Sequence, residues 1–173
     1  MNMNITTSKI KIIPFKYIHA HVFAKLRRDI DRESSHLVAK NGERKENAIH
    51  VIAKLLISQR RTVTLLAFYE KEAIGYVSLV FPKFTKLQGN AYLTIALREK
   101  YRGQGIGSML MEEAEIYAKS KKIRRMELEV FGKNKNAIEL YKKRNYEIEG
   151  IKKEAIRDSN GFDDIIIMTK RLG

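Results

Sequence analysis

Arg102-Gly103-Gln104-Gly105-Ile106-Gly107 decides how the rest of this chain is read. Before it stands an apolar, strand-like run, Ala91-Tyr92-Leu93-Thr94-Ile95-Ala96-Leu97. After it a helix-like run begins near Gly107 and sets Met109, Leu110, Ala114 and Tyr117 at helical spacing. A strand feeding a glycine-rich turn that opens a helix is a device for holding phosphate. Glycine has no Cβ, so its N–H can approach an anion closely. The first turn of a helix leaves N–H groups unpaired and carries a partial positive charge. Arg102 adds a fixed cation with forked donors that match phosphate oxygens. Arg102, Gly103, Gln104, Gly105, Ile106, Gly107 and Ser108 are therefore the candidate anion cradle. The loop lacks the Gly-Lys-Ser/Thr ending of a P-loop. Its glycines at 103, 105 and 107 also miss the G-x-G-x-x-G spacing of a dinucleotide fold.

Working outward, Ile123 to Phe131 reads as a further strand, so residues 91–131 form a strand–helix–strand unit with two parallel strands and a right-handed crossover. Thr62 to Tyr69 and Ala73 to Phe81 are β-branched and apolar around Glu70-Lys71-Glu72, which predicts a hairpin. Pro82 to Gly89 is a polar connection. Lys9 to Ile13 alternates and meets Pro14, an edge strand. Two helices are expected before residue 60. In Tyr17–Arg32, Ile18, Val22, Leu26 and Ile30 mark the apolar face; in Arg44–Gln59, Ile49, Ile52, Leu55 and Leu56 mark it. A loop from Asp31 to Gly42 separates them. Asn134–Arg144 is a helix, Glu147–Arg157 a strand, and Asp158-Ser159-Asn160-Gly161 turns the chain into Asp164–Lys170. The expected architecture is one domain over residues 1–173. It is an α/β fold (α+β by some schemes), with a mixed, mostly antiparallel sheet, one parallel pair and helices on both faces.

A second block lies downstream: Asn134-Lys135-Asn136-Ala137-Ile138-Glu139-Leu140-Tyr141, followed by Lys142-Lys143-Arg144-Asn145-Tyr146-Glu147. Together with Arg102-x-x-Gly105-x-Gly107, in that order and at that separation, it resembles the GCN5-related N-acetyltransferases, the GNAT family. The resemblance covers roughly residues 62–172, including a tail from Ile148-Glu149-Gly150 to Gly161-Phe162-Asp163-Asp164 and Met168. The family usually has Gly-Phe where this chain has Asn145-Tyr146. Asn is the commonest stand-in for Gly in left-handed backbone, so the departure is physically mild.

The resemblance implies acetyl-CoA as co-substrate, with its pyrophosphate on the 102–108 loop. Its pantetheine arm would enter between the two parallel strands, Leu93–Leu97 facing Met126–Val130, and pair with the backbone of Ile95, Ala96 and Leu97 by strand addition. It also implies that the Tyr141 phenol protonates the departing thiolate and that Asn134 touches the cofactor. Physically, Asn134 suits a helix N-cap, and Tyr141, seven residues on, shares its face. The bland alternative for Tyr141 is a core tyrosine. The incoming amine needs a base. The family often carries an acid on the strand before the phosphate loop, where this chain has Tyr92 and Thr94. Glu129, which with Glu127 lies opposite Met126, Leu128 and Val130, is the leading candidate. Glu33 could reach a substrate mouth, but surface exposure is the ordinary expectation.

Composition limits the alternatives. The chain has 173 residues, 44% hydrophobic, and no cysteine, so disulfides, cysteine–zinc sites and a cysteine nucleophile are excluded. No G-x-S-x-G elbow exists, which favours direct transfer from thioester to amine. The four histidines, 19, 21, 36 and 50, form no ligand set, so no metal is expected. No apolar run could span a bilayer and there is no signal-peptide core, which predicts a cytoplasmic protein without a membrane partner. The net charge of +14 is large. Lys119, Lys121, Lys122, Arg124 and Arg125 form a basic run at a helix C-terminus, where the dipole favours cations anyway. A basic nucleic-acid-binding protein with this fold and no transferase activity is the alternative function. No aromatic-interleaved basic stripe is evident in the sequence to support it. A homodimer stays open. The acceptor could be a small primary amine, an amino acid or a protein N-terminus or lysine, with the basic surface disfavouring a polyamine.

Overall fold

The computed structural model describes residues 7–34, 43, 45, 47–57, 61–158 and 161–173. Its elements in chain order are β1 (Ile10–Pro14), α1 (Ala20–Glu33), α2 (Ala48–Ile57), β2 (Thr62–Tyr69), β3 (Glu72–Val80), β4 (Asn90–Leu97), α3 (Ile106–Ser120), β5 (Arg125–Phe131), α4 (Lys135–Lys143), β6 (Glu147–Asp158) and β7 (Gly161–Arg171). The strands form one seven-stranded sheet in the order β1-β2-β3-β4-β5-β7-β6. β4 and β5 are the parallel pair, and every other neighbouring pair is antiparallel.

Two cores follow from the two faces. On one, α3 and α4 pack Ile106, Leu110, Met111, Ala114, Ile138 and Tyr141 against Leu93, Met126, Leu128, Val130 and Met168. On the other, α1 and α2 pack Phe23, Leu26, Ile30 and Val51 against Leu66, Tyr76 and Ala96. Fully burying one such Leu, Ile or Met contributes about 1.5–3 kcal/mol. β4 serves both faces because its side chains alternate. Ala91 and Leu93 join the first core and Ala96 the second, while Tyr92 and Thr94 stay exposed on the α1 side.

The N-terminal helices keep only part of the expected pattern: Leu26 and Ile30 of α1 are buried and Ile52 of α2 packs on the same core, but other positions differ. The chain enters α1 through a 3₁₀ turn, Tyr17–His19, so Ile18 falls outside the helix and is 82% exposed; Val22 is exposed as well. At its start the buried face is set by Phe23, which meets the Tyr76 ring edge-on at 5.1 Å and Phe15 at 5.4 Å. Two aromatic edges outweigh the aliphatic spacing. α1 also runs to Glu33, past the expected loop start at Asp31; the rest of that loop, residues 35–42, lies outside the described residues. In α2, Ile52 packs against the core as expected, but Val51 is buried and Ile49 exposed; the side chains of Leu55 and Leu56 lie outside the described residues. The 70–72 hairpin forms as a two-residue turn, Glu70-Lys71, with Glu70 left-handed at φ 54° and Glu72 already in β3. Pro14 ends the edge strand β1 opposite Leu65. Asp158 pairs with Gly161, while the turn residues 159–160 lie outside the described residues.

Candidate functional site

β4 and β5 pair only through Asn90↔Arg125, Ala91↔Met126 and Tyr92↔Glu127. Beyond that point β4 follows β3 alone as far as Leu97, and β5 follows β7 as far as Phe131. The parallel strands therefore part between Leu93–Leu97 and Leu128–Phe131. The antiparallel ladder says which backbone groups face the gap. Arg98 N–H donates to Ile74 O at 2.9 Å, so Ala96 and Thr94 also serve β3, and Ile95 and Leu97 point the other way. Arg102 Nε confirms the direction by donating to Leu97 O at 3.2 Å. Ile95 offers an open N–H and C=O, the pattern an extended amide-bearing ligand completes. Ala96, expected with them, turns its backbone toward β3.

At the end of β4 the chain makes a 3₁₀ turn, Glu99–Tyr101, and enters the glycine loop. Gly103 and Gly105 are left-handed at φ 73° and 80°, and Gly105 is the N-cap of α3. The first helical bond runs from Met109 N–H to Gly105 O at 3.1 Å. The N–H groups of Ile106, Gly107 and Ser108 are left without partners inside the helix. Gly107 has a different reason to be glycine: a Cβ there would lie 3.0 Å from Leu140 Cδ2 and 3.6 Å from Leu97 Cδ1. Its absence lets α3 start close against α4 and the end of β4. Gln104 braces the loop, its Nε2 donating to Lys100 O at 3.0 Å. Ser108 Oγ accepts from Arg144 Nη1 at 3.2 Å.

Asn134 caps α4, its Oδ1 accepting from Ala137 N–H at 3.3 Å. Asn145, where the resembled family has Gly, is left-handed at φ 64°. Tyr141 lies in the last turn of α4, 6% exposed, with its ring 6.1 Å from that of Tyr146. Burial pushes its phenol well above the ordinary range, so the hydroxyl keeps its proton near neutrality and has one to give. α4 is tied to α3 by Arg144, whose guanidinium grips the buried Glu115 at 3.1 and 2.9 Å; Lys170 of β7 adds a third contact at 2.8 Å. Burial pushes the Glu115 carboxyl up, but Arg144 and Lys170 more than offset this and hold it below its usual value.

The loop is held by a clamp that the sequence did not announce. Arg98 sits between two carboxylates: Glu33, at the end of α1, receives its Nε at 3.0 Å and Nη2 at 2.7 Å, and Glu72 receives Nη1 at 2.6 Å. Glu33 also accepts Glu99 N–H at 2.8 Å, and Glu72 accepts the hydroxyl of buried Tyr101 at 2.7 Å. Burial raises the Glu33 carboxyl, yet Arg98 and the Glu99 amide bring it below normal. Glu33 is thus committed to the turn before the glycine loop rather than to a substrate mouth. Arg98→Met should destabilise the protein by about 2 kcal/mol, since charge-assisted hydrogen bonds contribute about 1.5–3 kcal/mol each and these are partly solvent-screened. A urea titration matching wild type would show that the clamp carries no stability.

Glu127 and Glu129 both lie on the α1-side face of β5 and both are paired. Arg125 Nη2 donates to Glu127 at 2.8 Å and to Glu149, while Lys152 Nζ meets Glu129 Oε1 at 2.5 Å. Tyr92, the register partner of Glu127, shares that face. Among the described residues no group of three or more histidines and carboxylates is placed to hold a metal, and no helix is long and apolar enough to cross a membrane.

The family model of the acetyltransferase (GNAT) family matches residues 24–146. The chain belongs to the GNAT family. Over 73 residues it is 41% identical to a Bacillus subtilis (strain 168) protein named as a candidate ribosomal protein bS18-alanine N-acetyltransferase, covering 42% of this chain and 48% of that one. Over 101 residues it is 31% identical to the L-amino acid N-acetyltransferase AaaT of Escherichia coli (strain K12), covering 57% and 62%. The chain thus spans about half to three fifths of the curated relatives it matches. Among solved structures, a GNAT-family acetyltransferase from Streptococcus pneumoniae superposes with TM-score 0.86 at 26% identity, covering 95% of this chain and 99% of that one. A phosphinothricin acetyltransferase from Sinorhizobium meliloti, solved in complex with acetyl-CoA, shares the fold with TM-score 0.81 at 20% identity, covering 95% and 89%. The mixed sheet with one parallel pair expected from the sequence is the fold these neighbours share.

Proposed function

We propose that this protein is an acetyl-CoA-dependent N-acetyltransferase that moves the acetyl group directly to a primary amine. The observation that carries the proposal is the parting of β4 and β5 directly ahead of a glycine loop and a helix N-terminus. One extended ligand with amides at one end and a pyrophosphate at the other fits that sequence of groups. In this reading Ile95 pairs the pantetheine amides, with Ala96 and Leu97 flanking, while Arg102 to Ser108 receive the pyrophosphate. Asn134 and Tyr141 bring α4 to the thioester. The amine nitrogen attacks the acetyl carbon, the carbon–sulfur bond breaks, and Tyr141 gives its proton to the departing sulfur. Glu129, directly or through a water, takes the proton the amine loses, which requires the Lys152 pair to open. The two curated relatives, one named for a ribosomal protein alanine and one for L-amino acids, support an α-amino group as acceptor; a small amine or a lysine is the wider class.

The mechanism has a kinetic signature. Without cysteine or a nucleophile elbow the acetyl group should never reside on the enzyme, so both substrates must be bound together. After an amine panel has identified an acceptor, initial-rate lines at several fixed acetyl-CoA concentrations should intersect. Intact mass after acetyl-CoA alone should show no adduct that amine can discharge. Parallel lines with a chaseable adduct would refute direct transfer, and no turnover with any amine would refute the activity.

A further inference from the structure

The end of the sheet opposite the glycine loop gathers positive charge that the transferase reading does not use. Three facts place it. Gly89 O accepts the N–H of Arg124 at 2.8 Å and of Arg125 at 3.0 Å, so the β3–β4 connection and the α3–β5 turn lie side by side. The Arg124 side chain runs along Gly89, its Nε 3.8 Å from where a Cβ would stand. The stretches 81–90 and 117–124 contain Lys83, Lys86, Lys119, Lys121, Lys122 and Arg124 and no Asp or Glu. All six are exposed, and among the described residues none is in an ion pair. Of the carboxylates on the adjoining strands, Glu127 and Glu149 are held by Arg125, and Glu147 stands exposed at the start of β6, on the far side of β7 from β5.

On the β3–β4 connection a 3₁₀ turn, Thr85–Leu87, follows Phe84, which is 69% exposed and flanked in sequence by Lys83 and Lys86. Six like charges outside any ion pair repel one another; Lys121 lies over the Tyr117 ring at 5.6 Å, and the C-terminal dipole of α3 accounts only for those in its last turn. Lys83 and Lys86 stand on another segment and have no such reason. We infer that this basic end docks nucleic acid through its phosphodiester backbone, with Phe84 as a base-stacking side chain. Cations on two segments around an exposed aromatic suit a strand of phosphates and bases. A membrane surface would call for an amphipathic helix with an apolar face, and here the apolar residues sit on a single short turn. The patch lies about 25 Å from the glycine loop, the length of β4 at roughly 3.3 Å per residue, so both sites can be filled together. The inference does not rest on transferase activity.

The test uses the full chain, fluorescence anisotropy and a labelled single-stranded RNA of mixed sequence, with DNA of the same sequence as a second probe, across a salt series. K83E/K86E/R124E should bind at least about tenfold more weakly, and its log-affinity against log-salt slope should be shallower by about 2, as expected for three lost contacts to a single strand. K11E/K16E/K25E, which removes the same charge from the β1–α1 side, should stay within about twofold of wild type. F84A should lose roughly tenfold with the salt slope unchanged. Calorimetry should find acetyl-CoA affinity unaltered in the patch variant, and the neutral K83Q/K86Q/R124Q repeats the test if charge reversal lowers the melting temperature. Equal affinity for RNA and DNA assigns the backbone as the shared ligand, whereas a preference for RNA adds the 2′-hydroxyl. The inference is overturned if neither probe binds, if the β1–α1 control loses as much as the patch variant, or if patch mutations abolish binding to phosphatidylserine vesicles while sparing the oligonucleotides.

Discussion

Tyr141→Phe should lower kcat by about a hundredfold to ten-thousandfold, the usual worth of general acid catalysis, and leave acetyl-CoA affinity nearly unchanged. The substitution removes one oxygen from a side chain that otherwise stays packed against the Tyr146 ring in the α3–α4 core. Burial already holds the phenol in its neutral form, so the variant loses a proton donor and not a charge. Its effect on KM for acetyl-CoA should therefore be small, which separates loss of chemistry from loss of binding. If burial served packing alone, Phe would be an equal or better occupant and turnover would not change. Wild-type turnover in Tyr141→Phe, with chemistry shown to be rate-limiting by single-turnover kinetics, would return the residue to the core.

How much of this was legible in the sequence depended on the range of the cause. The glycine loop, the Asn134 cap and the left-handed Asn145 are local: a few consecutive residues fix the backbone, and the structure has them as read. The strand–helix–strand unit was legible because its apolar runs are long and its crossover has only one hand. The parting of β4 and β5 was not, since three paired residues and five unpaired ones look alike along the chain; only the resemblance implied it. On α1, Leu26 and Ile30 are buried as their spacing predicts, but the first turn brings Phe23 inward in place of Ile18 and Val22, because Phe23 is fixed by Tyr76, more than fifty residues away. The Arg98 clamp draws on α1, β3 and the turn after β4, so no window of sequence contains it. In sequence Glu33 is a carboxylate near the site, but its partner Arg98 lies 65 residues away. The basic end is only partly legible in sequence: residues 119–125 form a contiguous run, while Lys83, Phe84 and Lys86 read as an ordinary polar connection, and it is the Gly89–Arg124 contact that brings the two segments together.

Arg102→Glu should abolish measurable acetyl-CoA binding without unfolding the protein. Arg102 is exposed, and its Nε is engaged at Leu97 O, at the mouth of the gap and one residue before the left-handed Gly103. From there its remaining guanidinium donors are free to meet a pyrophosphate received by the N–H groups at the start of α3. A graded series separates the contributions. In Arg102→Gln the helix N-terminus still attracts the anion, and the loss is that of one charge-assisted contact, about 1.5–3 kcal/mol, or roughly tenfold to a hundredfold in Kd. Arg102→Glu adds a negative charge directly before the helix start, opposing both the dipole and the phosphates, and should remove what Gln leaves. The new carboxylate also faces Glu33, whose charge Arg102 now favours, so a modest stability cost is expected and is measured separately by urea titration. Isothermal calorimetry should rank wild type, Gln and Glu in that order. Unchanged affinity in Arg102→Glu, with the variant folded, would mean that the 102–108 loop is a turn with a helix cap and that the cofactor, if bound at all, lies elsewhere.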